Sequence, residues 1–140
     1  MAAISCTLLV DDDDTTNYLN QMLLQRMAVT DEVLVALNGQ EALDMLHKQC
    51  EQDSPPTCPT LILLDLKMPL MNGVEFLQAY TQHPVSQNPA VVIMLTTSLN
   101  PNDVARMQNL PIAGYLTKPL TREKVSQLVH DYFEQPASAA

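Results

Sequence analysis

Six side chains in this sequence can do chemistry together, and each stands at or just past the end of an apolar run. Asp11 and Asp12 follow Leu8-Leu9-Val10. Asp65 follows Leu61 to Leu64, Thr96 and Thr97 follow Val91 to Leu95, and Lys118 follows Tyr115-Leu116-Thr117. Carboxylates brought to one place repel one another and stay ionised only when a cation joins them. Oxygen ligands alone select a hard ion such as Mg²⁺. A carboxylate beside such an ion, with a lysine and a hydroxyl in reach, is equipped for phosphoryl transfer. The cations neutralise the equatorial oxygens while the carboxylate attacks. Lysine serves phosphate as a compact point charge.

These residues meet only if the elements before them lie side by side. Ile4 to Val10 reads as a strand. Leu19, Met22, Leu23 and Met27 make a helical stripe from about Thr15 to Met27. A second strand covers Glu32 to Ala36, and Asn38 caps a helix through Ala42, Leu43 and Leu46. Gln49 to Pro59, rich in proline, reads as a loop. Thr60 to Asp65 and Ala90 to Thr96 read as strands buried on both faces. Asn72-Gly73 is a turn signal before a helix with Val74, Leu77 and Tyr80. Asn100-Pro101 opens a short helix, and Gly114 to Thr117 is a short fifth strand. Thr121 caps a last helix with Val125, Leu128, Val129 and Tyr132. Strands alternating with helices imply an α/β fold with a parallel sheet covered on both faces. Ligands of such open sheets bind beyond the carboxyl ends of the strands, which is where all six side chains stand.

The 140 residues suit one domain, and 46% hydrophobic content builds a core without staples. A net charge of −9, with basic residues scattered, argues against nucleic acid as a partner. No apolar run approaches the ~20 residues of a membrane span, and no signal peptide opens the chain. An odd cysteine count without a CxxC pair (Cys6, Cys50, Cys58) fits free thiols in a cytoplasmic protein. Cys50 and Cys58 flank the proline-rich loop, but no histidine at ligand spacing makes them a metal site.

Leu8-Leu9-Val10-Asp11-Asp12 resembles the first signature of response-regulator receiver domains. Leu63-Leu64-Asp65-Leu66-Lys67-Met68-Pro69, closed by Met71-Asn72-Gly73, resembles their phospho-acceptor motif. Met94-Leu95-Thr96-Thr97 resembles the switch-hydroxyl motif, and Tyr115-Leu116-Thr117-Lys118-Pro119 the Lys-Pro motif. Each motif alone is weak, but the four in this order cover nearly the whole chain. The resemblance implies a flavodoxin-like (βα)5 fold, a doubly wound five-stranded parallel sheet in order 2-1-3-4-5. It implies a receiver over 1–134 with a short flexible tail at 135–140.

Its implied roles are specific. Asp65 accepts the phosphoryl group. Asp12 holds Mg²⁺ directly, Asp11 through water, and Asp65 and the Lys67 backbone carbonyl complete the protein ligands. Thr96 and Lys118 contact the phosphoryl group, and Tyr115 is the aromatic that rotates after Thr96. The Lys118-Pro119 bond is expected to be cis. The donor is a histidine kinase or histidine phosphotransfer protein, and the output goes to an unnamed partner protein, a phosphorelay step or competition for phosphate. A monomer or weak dimer is expected, acting as a switch and not as an enzyme on an external substrate. Leu120 stands where an aromatic often follows the Lys-Pro pair, and Thr97 where a smaller residue is usual. These, with Lys67 and Ser98, bear on phosphate lifetime. The Gln49–Pro59 loop is longer than in compact family members.

Other readings compete. Asp11-Asp12-Asp13-Asp14-Thr15 also fits the DxDxT signature of haloacid-dehalogenase-like phosphohydrolases. Those need a further acidic pair after the lysine, which Glu123, in a helix start, does not supply. That reading also leaves the Asp65 motif unused. A phosphorylation-independent module keeping only the fold is the other alternative. Asp13 and Asp14 read better as helix-start charges than as ligands. Thr96 also fits a plain strand residue, and Tyr115 plain core. His47, His83 and His130 read as surface. The methionines read as core filling, except Met68 and Met71 beside the acceptor.

Overall fold

The computed structural model describes residues 3–50, 59–65, 71–82, 90–97, 100–110 and 112–133. Lys67, Met68, Ser98, Cys58, His83 and the 135–140 tail lie outside the described residues, and with them the expectations placed there. Five strands alternate with five helices among the described residues. They are β1 (Ile4–Val10), α1 (Asp14–Met27), β2 (Thr30–Ala36), α2 (Gly39–Cys50) and β3 (Leu61–Asp65). Then follow α3 (Gly73–Gln82), β4 (Val91–Thr96), α4 (Pro101–Gln108), β5 (Gly114–Thr117) and α5 (Arg122–Tyr132). All strand pairs are parallel, in the order β2-β1-β3-β4-β5.

Alternate residues of the central strands feed two cores, which is why those strands are apolar throughout. Leu8, Val10, Ile62, Leu64, Val92 and Met94 face Ala42, Leu46, Phe76, Leu77 and Met107 from α2, α3 and α4. Leu9, Leu61, Leu63, Ile93 and Leu95 face Leu24 of α1 and Val125, Leu128 and Val129 of α5. Burying a leucine or isoleucine on either face contributes roughly 1.5–3 kcal/mol. Two helix starts are closed by reciprocal capping. Asn38 accepts from the Glu41 N–H while Glu41 accepts from the Leu37 N–H. Asn72 accepts from the Glu75 N–H while Glu75 accepts from the N–H of Asn72 itself, so Asn72-Gly73 is a helix cap more than a free turn. The Gly39 N–H donates to the Met71 carbonyl at 3.1 Å, and a Cβ on Gly39 would meet Met71 Cγ at 2.7 Å. Only glycine lets α2 approach the segment after β3 this closely.

The sequence reading needs three corrections. β2 begins at Thr30, not Glu32, because the Thr30 hydroxyl is buried against Thr7 Oγ1 at 3.0 Å. Gln49 and Cys50 continue α2 and do not open the loop. The third concerns α1, whose buried residues are Asn17, Asn20 and Leu24, while Leu19 is 58% exposed. Positions 17, 20 and 24 share one helical face. The polar side chains on that face hid it from a search for apolar spacing.

Candidate functional site

The strand order reverses direction between β1 and β3, so a crevice opens at their carboxyl ends. β1 delivers Asp11 and Asp12 there, and β3 ends in Asp65. Each of the three offers one carboxylate oxygen, and these oxygens all lie within 4.8 Å of one another. Lys118, one residue past β5, enters the same group. Its Nζ lies 2.7 Å from Asp11 Oδ2 and 3.4 Å from Asp65 Oδ1. The structure thus brings together Asp11, Asp12, Asp65 and Lys118.

Asp11 is buried and held on several sides. Its N–H donates to the Ala36 carbonyl at 3.1 Å, and its carbonyl accepts from Asn17 Nδ2 at 2.8 Å. Oδ1 accepts from the Asp13 N–H at 2.9 Å, and Oδ2 accepts from Lys118. Both oxygens of Asp11 are therefore engaged. Asp12 is exposed, and its carboxylate has no protein partner among the described residues. Asp12 is thus open to a ligand. Asp13 caps α1 from an extended conformation, and its carboxyl accepts from the Thr16 hydroxyl, which lowers its pKa. Asp14 is the first residue of α1, where a negative charge suits the helix dipole.

Burial, then the Asp11 charge, raises the Asp65 pKa, with Lys118 opposing and Asp12 adding. At Lys118 burial acts to lower the pKa, but the bond to Asp11 and the charges of Asp65 and Asp11 outweigh it and raise the value. One ammonium among three carboxylates leaves the cluster with excess negative charge. That excess and an all-oxygen donor set fit a hard divalent cation. The Lys67 carbonyl, expected among the ligands, lies outside the described residues.

Thr96 is 3% exposed at the end of β4 and pairs with Thr117, and its carbonyl accepts the Lys118 N–H at 2.8 Å. Tyr115 stands on the edge strand β5, 38% exposed, paired with Met94. The Lys118-Pro119 peptide is cis. Leu120, in place of an aromatic, is buried in the α1–α5 core. Cys6 is a free, buried thiol whose pKa burial, with help from Glu32, pushes up to about 12, so it is inert. Asn17 and Lys124, which hold the backbone on which Asp11 and Lys118 stand, were missed in the sequence. Asn17 is a buried polar residue at i+6 from Asp11, a signal that spacing alone could have raised. Lys124 shows nothing in sequence but a common helix-surface residue.

The family model for the response regulator receiver domain matches residues 7–130. The response regulator Rcp1 of Synechocystis is 34% identical over 122 residues, covering 87% of this chain and 82% of its own. A two-component response regulator from Cytophaga hutchinsonii superposes with a TM-score of 0.80 at 28% identity, covering 93% of this chain and 97% of its own. The chemotaxis protein CheY4 of Vibrio cholerae superposes at 0.72 with 28% identity, covering 94% and 98%.

Proposed function

The chain belongs to the response regulator receiver family, and from that premise we propose that it is a phospho-accepting switch with Asp65 as acceptor. The observation that carries this reading is the cluster itself: Asp65 beside Asp11 and Asp12, with Lys118 reaching across to Asp11 and Asp65. An Asp65 oxygen attacks the phosphorus of a phosphohistidine. A P–O bond forms to the aspartate, the P–N bond breaks, and the imidazole leaves with its electron pair. Lys118 offsets charge on the phosphoryl oxygens, and the Thr96 hydroxyl donates to one of them. Asp12 and Asp65 would hold Mg²⁺, with Asp11 acting through water and the Lys67 carbonyl as the expected further ligand, and the ion would add neutralisation of the phosphoryl charge. The donor is a histidine kinase or histidine phosphotransfer protein, and the output is a partner protein that reads the face around Tyr115. The protein is a cytoplasmic switch and not an enzyme with an external substrate. Among the described residues no helix is long and apolar enough to cross a membrane.

Acetyl phosphate with Mg²⁺ tests the reading, because it needs no kinase. One phosphoryl group should appear on the chain, mass spectrometry should place it on Asp65, and chelator should prevent it. Labelling of Asp65→Asn at the wild-type level defeats the assignment.

A further inference from the structure

The backbone that carries Lys118 is held from both sides. On one side the Lys118 N–H donates to the Thr96 carbonyl of β4 at 2.8 Å. On the other stands Lys124, in the first turn of α5. Its Nζ donates to the Thr117 carbonyl at 2.6 Å, to Thr117 Oγ1 at 3.1 Å and to the Pro119 carbonyl at 3.0 Å. A lysine ammonium has three donors, and these acceptors use all of them. They belong to the two residues that flank Lys118. No carboxylate pairs with Lys124 among the described residues. The Lys124 N–H donates to the Thr121 cap at 3.3 Å, so the start of α5 fixes where the ammonium is delivered.

We propose that Lys124 is a positioning residue for Lys118. By tying Thr117 and Pro119 to the start of α5, it aims the Lys118 ammonium at Asp11 and Asp65, where a phosphoryl group is received. The role rests on Asp65 being the acceptor and deepens that reading. Lys124 touches neither phosphoryl group nor acceptor and acts only through the chain on either side of Lys118. A flexible side chain such as lysine depends on its anchorage, and displacement of a catalytic group by about 1 Å can lower a rate by as much as ~100-fold.

The experiment uses the full chain, acetyl phosphate and Mg²⁺. Lys124→Met keeps the aliphatic stem and removes every donor, and Lys124→Arg restores a cationic, multiply donating head. Lys124→Met should label Asp65 roughly 10-fold more slowly, and Lys124→Arg should recover most of the rate. Mg²⁺ affinity, which belongs to the carboxylates, should stay at the wild-type value in both, a result general loosening would not give. In a Lys118→Ala background, Lys124→Met should slow labelling no further. Should Lys124→Met unfold, Lys124→Gln, which retains an amide donor, takes its place in the same comparisons. The role is overturned if the donor-less variant labels as fast as wild type, or if its loss is undiminished without the Lys118 ammonium. A wild-type chain that takes no label overturns the acceptor reading and this role together; a labelled wild type with an unaffected variant overturns this role alone.

Discussion

At the scale of single residues, the Asp65 carboxyl is held above its ordinary 3.8 by burial and by Asp11, against the pull of Lys118. The folded protein therefore binds that proton more tightly than the unfolded chain. Stability falls as pH rises from the ordinary carboxylate value through the raised folded value, and above it the penalty is constant. Lys118 works the other way. Its raised folded pKa gives stability that is complete at neutral pH and is lost only as pH climbs through a value above 10.5. Asp65→Asn removes the carboxylate penalty. In chelator at pH 7 its melting temperature should exceed wild type by a few degrees. The difference should shrink as pH is lowered toward the ordinary carboxylate range, and shrink again when Mg²⁺ is present. Calorimetry across that range checks it, and a variant less stable than wild type throughout would contradict the sign. Relief of the same repulsion predicts a gain of the same sign for Asp12→Ala without metal.

At the scale of elements, the proposed switch runs from β4 to β5. Thr96 ends β4 in a buried position, and Tyr115 stands exposed on β5, paired with Met94 of β4. On the proposed reading, a phosphoryl group on Asp65 would draw the Thr96 hydroxyl toward its oxygens, move the end of β4 and open room for the Tyr115 ring. The group can bias this two-state element only by its differential interaction with the two states. Thr96→Ala should still bind the beryllium fluoride mimic at Asp65 but lose most chemical-shift change around Tyr115. Equal changes in wild type and variant would rule Thr96 out as the coupling residue. Strands β1, β3 and β4 were legible in sequence because cores on both faces make them apolar without interruption. The start of β2 was not, because Asp31 and Glu32 are exposed on a sheet edge and look like a turn. The face of α1 was misread for a related reason. Asn17 is buried by a hydrogen bond to the Asp11 carbonyl, which hydrophobic spacing does not register.

For the molecule as a whole, the site was legible to the extent that strand ends deliver it. Asp11, Asp12, Asp65 and Lys118 each stand where an apolar run stops, and a parallel sheet must bring such stops to one edge. What supports them was not legible, because Lys124 and Gly39 act through neighbours set by packing. The cluster exists only in the folded state, so a cation that binds it stabilises the fold by mass action. At ten times its dissociation constant, Mg²⁺ should add about 1.4 kcal/mol. Asp12→Ala should lose most of that increment. Titration followed by thermal melting measures both, and a wild-type chain whose melting temperature ignores Mg²⁺ would exclude the site.

The pairing of Lys118 with Asp11 spans 107 positions of the chain. Closing so long a loop costs entropy, so the pair forms only once the intervening elements have brought β5 into place. On a chain made from its amino end, the acidic half of the site is synthesised before the ammonium. Before β5 docks, β4 is an open strand edge beside crowded, uncompensated carboxylates. On the proposed function, competence to accept a phosphoryl group would arrive with the docking of β5. A half-folded molecule would then be unable to intercept the signal, and the docking step that completes the site also covers the open edge of β4.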